Sequence, residues 1–438
     1  MSVVVKVKLD ALIAGRQIGF PIYDDRQTLL LAAGNFITAE HIEQIRKRGI
    51  QYVMMDESDV ANATLGSQDG PRNGPDLQPD SKACKDLVDR RDLSSFLNSG
   101  TTRIRNTGPA LKQRVIHRAH TPYNPKLRKA IAAQRQSDVS TVDGVMNQVA
   151  GGKKVAVEEL AQVSDTGIRS LVADCDVTLD VIVSVLSDPT LADHAVNTAI
   201  LGMAIGIEFG LDEHNIRDIG FIGLIQDLGM LALPRSIREA RHVLSPHEIV
   251  AVQKHPLYTD RLLDRIPRLP RIARFVAFQI HERLDGSGYP SGKRGSTIHP
   301  FARILHVADA YVTMTSDRFL GPAMKPYVAM EHLLHQAHHR QVDTDAVRRL
   351  LRLLSLFPIG SFVALSDGSA ARVLRPNHDD FTRPLVALVR DSAGNNLDPH
   401  EESSLLDLTE SELKVVQALP TPARSKAVPT PPSSVPAP

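Results

Sequence analysis

The sequence has no tryptophan and only two cysteines, Cys84 and Cys175, among its 438 residues. Two cysteines so far apart make neither a disulfide framework nor a cysteine zinc site. No apolar run reaches the roughly 18 residues that a membrane-spanning helix requires. An excess of one charge is also missing: 51 Lys and Arg against 50 Asp and Glu leave +1. That balance creates no global field for nucleic acid or an anionic membrane, and neither is expected as a specific partner. The N-terminus, MSVVVKVKLDAL, alternates apolar and polar residues and lacks a secretory core and cleavage site. A cytoplasmic, reducing location is the expectation.

What the chain does have is 42% hydrophobic residues and 17 histidines, on a length that suggests about two to three domains. Residues 1–56 read as a small α/β module. VVVKVKL has strand period, Thr38 can cap a short helix bearing Ile42 and Ile45, Gly49 can end it, and IQYVMMD closes as a strand. Residues 57–139 read as a flexible linker, first Gly/Pro/Asp-rich and then basic. Arg103, Arg105, Lys112, Arg114, Arg118, Lys126, Arg128, Lys129 and Arg135 follow one another with no acid between them. Tyr123 is the one aromatic in that run, so a solvated linker is favoured over a nucleic-acid contact.

Residues 140–356 carry helical periodicity and read as a bundle with its own core. GIRSLVADCDVTLDVIVSVLSD, HAVNTAILGMAIGIEFG and NIRDIGFIGLIQDLGML are three of its helices. Ser245-Pro246 is a helix start, and Pro256 is expected to stop that helix just after His255. Residues 357–410 alternate around Gly and Asp turns as a small β segment. The Pro/Ser-rich residues 418–438 read as a disordered tail. The fold class is therefore mainly α: a helical bundle flanked by a small N-terminal α/β module and a small C-terminal β segment.

Chemistry is suggested by ionisable residues set in apolar helix: His194, Asp227, His255, His281 and Asp309. An unpaired charge there costs several kcal/mol. Histidine and carboxylate on separate helices of a bundle converge most economically on a divalent ion such as Fe, Mn, Ni or Zn. The loop HERLDGSGYPSGKRG adds Gly286, Gly288 and Pro290 for a fixed turn, and Arg283, Lys293 and Arg294 as charge for an anionic ligand. His332, His335, His338 and His339 on one helix read as surface histidines. His306, three residues before Asp309, is an outside candidate for a substitute ligand.

The stretch His281-Glu282-Arg283-Leu284-Asp285-Gly286-Ser287-Gly288-Tyr289-Pro290 resembles the signature of HD-GYP domains, within the HD phosphohydrolase superfamily. HAVNTAILGMAIG, GLIQDLGM, HPLYTDRLL and VADAYVTMTSDR are similar to further motifs of that family. The resemblance covers residues 140–410 and implies an HD-type bundle. It implies metal ligands at His194, Gln226, Asp227, His255, His281 and Asp309, with Asp227 catalytic. It implies a substrate-phosphate contact at Arg318, to which the charge of the loop adds Lys293 and Arg294 as candidates. Asp285, Gly286, Gly288, Tyr289 and Pro290 correspond to the loop implicated in contacts with diguanylate-cyclase partners. The cofactor implied is a divalent metal of the Fe, Mn or Ni class, and the ligand is cyclic di-GMP.

The departures are specific. Gln226 stands for the histidine of the dyad, Met230 for the lysine that ends the motif, and Ile280 for the first histidine of a His-His pair. Thr190 stands where some members carry an additional glutamate ligand, and Gly321 where a second basic substrate residue is found. An amide oxygen is a weaker ligand than imidazole, and Ile280 offers no ligand at all. The expectation is a degenerate HD-GYP protein holding a single ion or none. It would be non-catalytic or weakly active, and would serve cyclic di-GMP signalling as a binding or interaction module. The alternative is an active metal-dependent phosphodiesterase producing pGpG or GMP.

Overall fold

A computed structural model describes residues 4–12, 22–24, 29–31, 37, 39–47, 50–56, 60, 104–116, 123–183, 189–240, 244–316, 323–377, 380, 382–399 and 402–419. Thr38, Gly49, Cys84, Arg318 and Gly321 lie outside these residues. The chain divides into two units, residues 1–101 with 230–255 and 318–321, and residues 102–229 with 256–317 and 322–438.

In the first unit, strands β1 (Val4–Lys8), β2 (Ile22–Tyr23), β3 (Leu29–Leu31) and β4 (Tyr52–Asp56) form a sheet of order β1-β4-β2-β3, accompanied by helix α1 (Ala39–Lys47). Val7, Ile22, Ile45, Val53 and Met55 make its core, so the period-two pattern of β1 does turn one face inward.

The second unit begins where a linker was expected, and the structure corrects that expectation. Helix α2 (Pro125–Ala150) starts fifteen residues before 140, with Asn124 as N-cap and Pro125 in the first turn. Residues 104–116 are also packed: Leu111 is buried, and Asp212 accepts hydrogen bonds from the Thr107 and Gly108 amides at 2.5 and 2.7 Å. The basic run lacks acids of its own because its acids come from elsewhere in the chain. Lys112 pairs with Glu208, Arg114 with Glu213, Arg128 with Asp180 and Arg135 with Asp193, at 2.5–2.9 Å.

Helices α3 (Val157–Ala173), α4 (Cys175–Val183), α5 (Leu191–Glu208) and α6 (Glu213–Ile225) follow. α5 is buried from Ala192 to Glu208, as an almost wholly apolar helix must be. It crosses α6 closely. A Cβ on Gly223 would fall 2.7 Å from the Ala199 Cα, so only glycine permits the approach. α7 (Arg235–Arg238) and α8 (Pro246–Val252) belong to the first unit. α8 opens on the expected Ser245, in a capping box with Glu248.

Pro256 does not act as a terminator. It is the second residue of α9 (His255–Leu262), in the first turn, where a missing N–H is tolerated. α10 (Ala273–Ala277), α11 (Pro300–Met314), α12 (Pro326–His338) and α13 (Thr344–Leu354) complete the bundle. A five-stranded antiparallel sheet of order β8-β7-β6-β5-β9 follows, from β5 (Phe362–Leu365), β6 (Ala370–Arg375), β7 (Leu385–Arg390), β8 (Leu405–Asp407) and β9 (Val415–Leu419). β9 pairs with β5, which carries the sheet past residue 410 and into the first residues expected to be tail. The mainly α fold class stands.

Candidate metal centre

Three elements of the second unit bring the candidate ligands together. His194 lies in the first turn of α5, whose start is fixed by a capping box between Thr190 and Asp193. Gln226 and Asp227 follow directly on the end of α6, and Asp309 lies within α11. One ligand atom each from His194, Asp227 and Asp309 falls within 4.8 Å of the others. His194 Nε2 is 2.8 Å from Asp309 Oδ1 and 3.4 Å from Asp227 Oδ2. His281 joins them, its Nε2 3.9 Å from Asp227 Oδ1 and its Nδ1 3.7 Å from Asp309 Oδ2. Burial alone would lift the Asp309 carboxyl. The hydrogen bond and charge of His194, with that of His281, outweigh it and hold the group below the usual carboxylate range.

Gln226 is buried here as well. Its side-chain Nε2 donates to Asp309 Oδ1 at 3.0 Å, while its Oε1 has no hydrogen-bond partner among the described residues. Its backbone carbonyl accepts from the Thr259 hydroxyl at 2.8 Å, and that oxygen in turn accepts from the Gly229 amide at 2.8 Å. The turn that carries Gln226 and Asp227 is therefore held by Thr259, a residue that no sequence pattern singled out. His194 Nδ1 is likewise buried without a partner. An ion at Nε2 would leave the ring proton on Nδ1, where no carbonyl or carboxylate among the described residues accepts it, although metal-bound histidines usually have such an acceptor. Two imidazoles, two carboxylates and an orphaned amide oxygen are a donor set that fits a divalent ion.

His255, the last residue of the first unit, is buried, with Nδ1 2.7 Å from the Val252 carbonyl. Ile280 is fully buried, and its carbonyl lies 2.6 Å from His306 Nδ1. That contact accounts for His306, which is not in the His194–Asp227–Asp309 group; burial pushes its imidazole pKa down. Met230 is buried in the first unit. His338 and His339 are exposed, as read from the sequence, but His332 and His335 are only partly so, and burial lowers both.

The Gly-Tyr-Pro loop is wired from within. Glu282 is buried and accepts from the Ser291 and Lys293 amides at 2.8 and 2.9 Å. The Asp285 carboxylate accepts from the Ser287 amide and hydroxyl. Gly288 has no room for a side chain, since a Cβ would fall 2.3 Å from the Arg283 nitrogen and 2.5 Å from the His281 oxygen. The close approach lets the Tyr289 amide donate to the His281 carbonyl at 3.1 Å. The Tyr289 ring then stacks on the His281 imidazole, with centroids 5.0 Å apart and planes 7° from parallel. Burial, followed by Asp309 and Asp227, pushes the phenol pKa up, so Tyr289 keeps its proton. Lys293 Nζ lies 5.1 Å over the Phe275 ring, and the Arg294 side chain lies against Gly286.

Residues 183–346 match the family model described as HD domain. This segment is an HD domain. The resemblance drawn from the motifs therefore holds for the region that contains the centre. The chain is 25% identical over 226 residues to the cyclic di-GMP phosphodiesterase PdeB of Borreliella burgdorferi, covering 52% of this chain and 59% of that protein. It is 29% identical over 201 residues to the cyclic di-GMP phosphodiesterase PA4108 of Pseudomonas aeruginosa, covering 46% and 48%. The chain thus spans about half the length of these relatives. Among solved structures, an HDG"Y"P protein from Bdellovibrio bacteriovorus aligns over 80% of this chain and 98% of its own, at 13% identity and a TM-score of 0.43. Among the described residues, no helix is long and apolar enough to cross a membrane.

Proposed function

We propose that this chain is a degenerate HD-GYP protein of cyclic di-GMP signalling, whose HD domain binds the dinucleotide or a protein partner and relays that occupancy, with hydrolysis absent or slow. The observation that carries the reading is the direction of Gln226. Where the family's dyad histidine would aim a lone pair at a cation, Gln226 aims N–H at Asp309. That amide partly takes the place of a cation beside the carboxylate and makes the centre tolerable without a full ion set. Ile280 adds no ligand, and among the described residues His194 has no acceptor for its second ring nitrogen.

The residual ion, of the Fe, Mn or Ni class, is assigned to His194, Asp227, His281 and Asp309, with the Gln226 oxygen available by rotation of the amide. His255 is added on the strength of its sequence match. Such an ion, when bound, acidifies water and neutralises phosphoryl charge. Asp227, between the two imidazoles, orients them and would hold a proton during any residual turnover. Because Lys293 and Arg294 are engaged at Phe275 and Gly286, Arg318 is the principal proposed phosphate contact. The exposed edge of the loop at Asp285 and Ser287, next to Gly286, Gly288, Tyr289 and Pro290, is the proposed partner surface. Support for the ligand class comes from the two relatives named as cyclic di-GMP phosphodiesterases.

The test is elemental analysis, cyclic di-GMP calorimetry and a pGpG assay with added Mn or Fe on one preparation. The expected result is at most one ion per chain, dinucleotide binding, and little or no pGpG. Two ions per chain with brisk release of pGpG or GMP would overturn the proposal in favour of an active phosphodiesterase.

A further inference from the structure

The HD centre is gripped from outside its ligand set by one buried cation. Arg135, on α2, is 6% exposed. Its Nε donates to Asn197 Oδ1 at 2.9 Å and its Nη2 to Asp193 Oδ1 at 2.9 Å. These acceptors are the residue before His194 and the residue three after it, so one guanidinium spans the turn that presents the imidazole. Both acceptors are fixed in turn. The other Asp193 oxygen receives the Thr190 amide and hydroxyl, at 3.0 and 2.7 Å, and Asn197 Nδ2 donates to the Ile182 carbonyl at 3.2 Å.

We infer that Arg135 is a positioning residue for His194, and that α2 sets the attitude of the ligand turn through it. The guanidinium suits this role because its planar fork fixes direction as well as distance. Lysine keeps the charge and loses the fork. α2 is itself anchored by Arg128 to Asp180 at 2.8 Å and by Asp138 to the Thr166 hydroxyl at 2.9 Å, so it can hold the turn in place. At about 1.5 Å per residue, its 26 residues form a rod of about 39 Å, and Arg135 lies within its first half. Any displacement of α2 reaches His194 directly, without passing through the apolar core. The inference rests on the single-ion reading only for the second of its two measurements.

The experiment uses the full chain with Arg135→Gln, Arg135→Lys and Arg128→Gln, the last removing another ion pair of the same helix. The first measurement is the NMR chemical shift of the His194 ring in metal-free protein, assigned with His194→Gln. The second is Mn affinity by calorimetry. Arg135→Gln is expected to move the ring resonance and to weaken Mn binding about tenfold or more, as losses of outer-shell support do. Arg135→Lys should fall between it and the parent, and Arg128→Gln, which loosens α2 at Asp180 but leaves the Arg135 fork intact, should move the resonance clearly less than Arg135→Gln does. An unmoved His194 ring in folded Arg135→Gln overturns the inference. Should the parent bind no Mn, the single-ion reading fails, while the ring measurement still decides for or against Arg135. Should Arg135→Gln not fold, Asn197→Ala removes one of the two acceptors. It is expected to move the same resonance by a smaller amount, and no movement overturns the inference.

Discussion

The side-chain amide of Gln226 donates to the same Asp309 oxygen that His194 reaches from the other helix, at 3.0 and 2.8 Å. A position that could hold a lone pair for an ion holds a proton donor instead. Gln226→His should reverse this, because imidazole is the stronger ligand for a borderline divalent ion. We expect Mn or Fe affinity to rise about 10- to 100-fold, read by calorimetry. Gln226→His with Ile280→His should raise the ion content per chain, read by elemental analysis. An unchanged content in the double variant would locate the deficiency elsewhere, Thr190, which stands where some members of the family carry a glutamate ligand, being the next candidate.

Gly288 is a second point of control. A methyl group there meets the backbone of His281, Glu282 and Arg283 at 2.3–2.6 Å. None of these is a flexible side-chain end, so the loop must open. Gly288→Ala should cost about 1–3 kcal/mol and separate Tyr289 from His281. Thermal denaturation and Mn calorimetry read the two effects, and both should fall together. A melting temperature equal to the parent's would show that the loop accommodates the methyl group.

The sequence carried the ligand helices plainly, because their apolar residues recur with helical period and their polar residues are few. His194, Asp227 and Asp309 stood out for that reason, and they meet. The Ser245-Pro246 start was legible because a cap is local chemistry. What escaped was long-range. The basic run from Arg103 to Arg135 looked unpaired because Glu208, Glu213, Asp180 and Asp193 lie roughly 50 to 100 residues away. Ala418 and Leu419, the end of β9, read as tail because their partner strand, β5, is also about 50 residues distant. The stacking of Tyr289 on His281 has no periodic signal. The direction of Gln226 is illegible in principle, since an amide offers a donor and an acceptor at one position.

Arg375 illustrates the same point and supplies a stability prediction. It is completely buried on β6, bonded to both Asp174 oxygens at 3.1 and 3.0 Å and to Asp176 at 2.7 Å. Its guanidinium lies 4.8 Å over the Tyr123 ring. Arg372 and Arg128 meet at Asp180 nearby, so the C-terminal sheet, α4 and the start of α2 share one charge network. Arg375→Leu leaves aspartates buried beside an apolar group and should cost about 3–5 kcal/mol, seen as a lower denaturant midpoint. Adding Asp174→Asn and Asp176→Asn should recover part of that loss. Failure to recover any would mean that packing of the arginine stem, not unpaired charge, dominates.

Asp212 gives the pH dependence. It caps α6 by accepting from the Asn215 amide and receives the Thr107 and Gly108 amides and the Thr107 hydroxyl. Burial works to raise its pKa, but these hydrogen bonds prevail and bring it from 3.8 down to about 2. A depressed carboxylate stabilises the folded chain fully above its unfolded value and loses that contribution as pH falls through the folded one. Protection of the Thr107, Gly108 and Asn215 amides against hydrogen exchange should therefore be constant above pH 3.8 and decline as pH falls towards about 2. Asp212→Asn should weaken protection of the same amides at neutral pH and remove the acid-dependent decline. A decline that persists in Asp212→Asn would show that Asp212 is not its source.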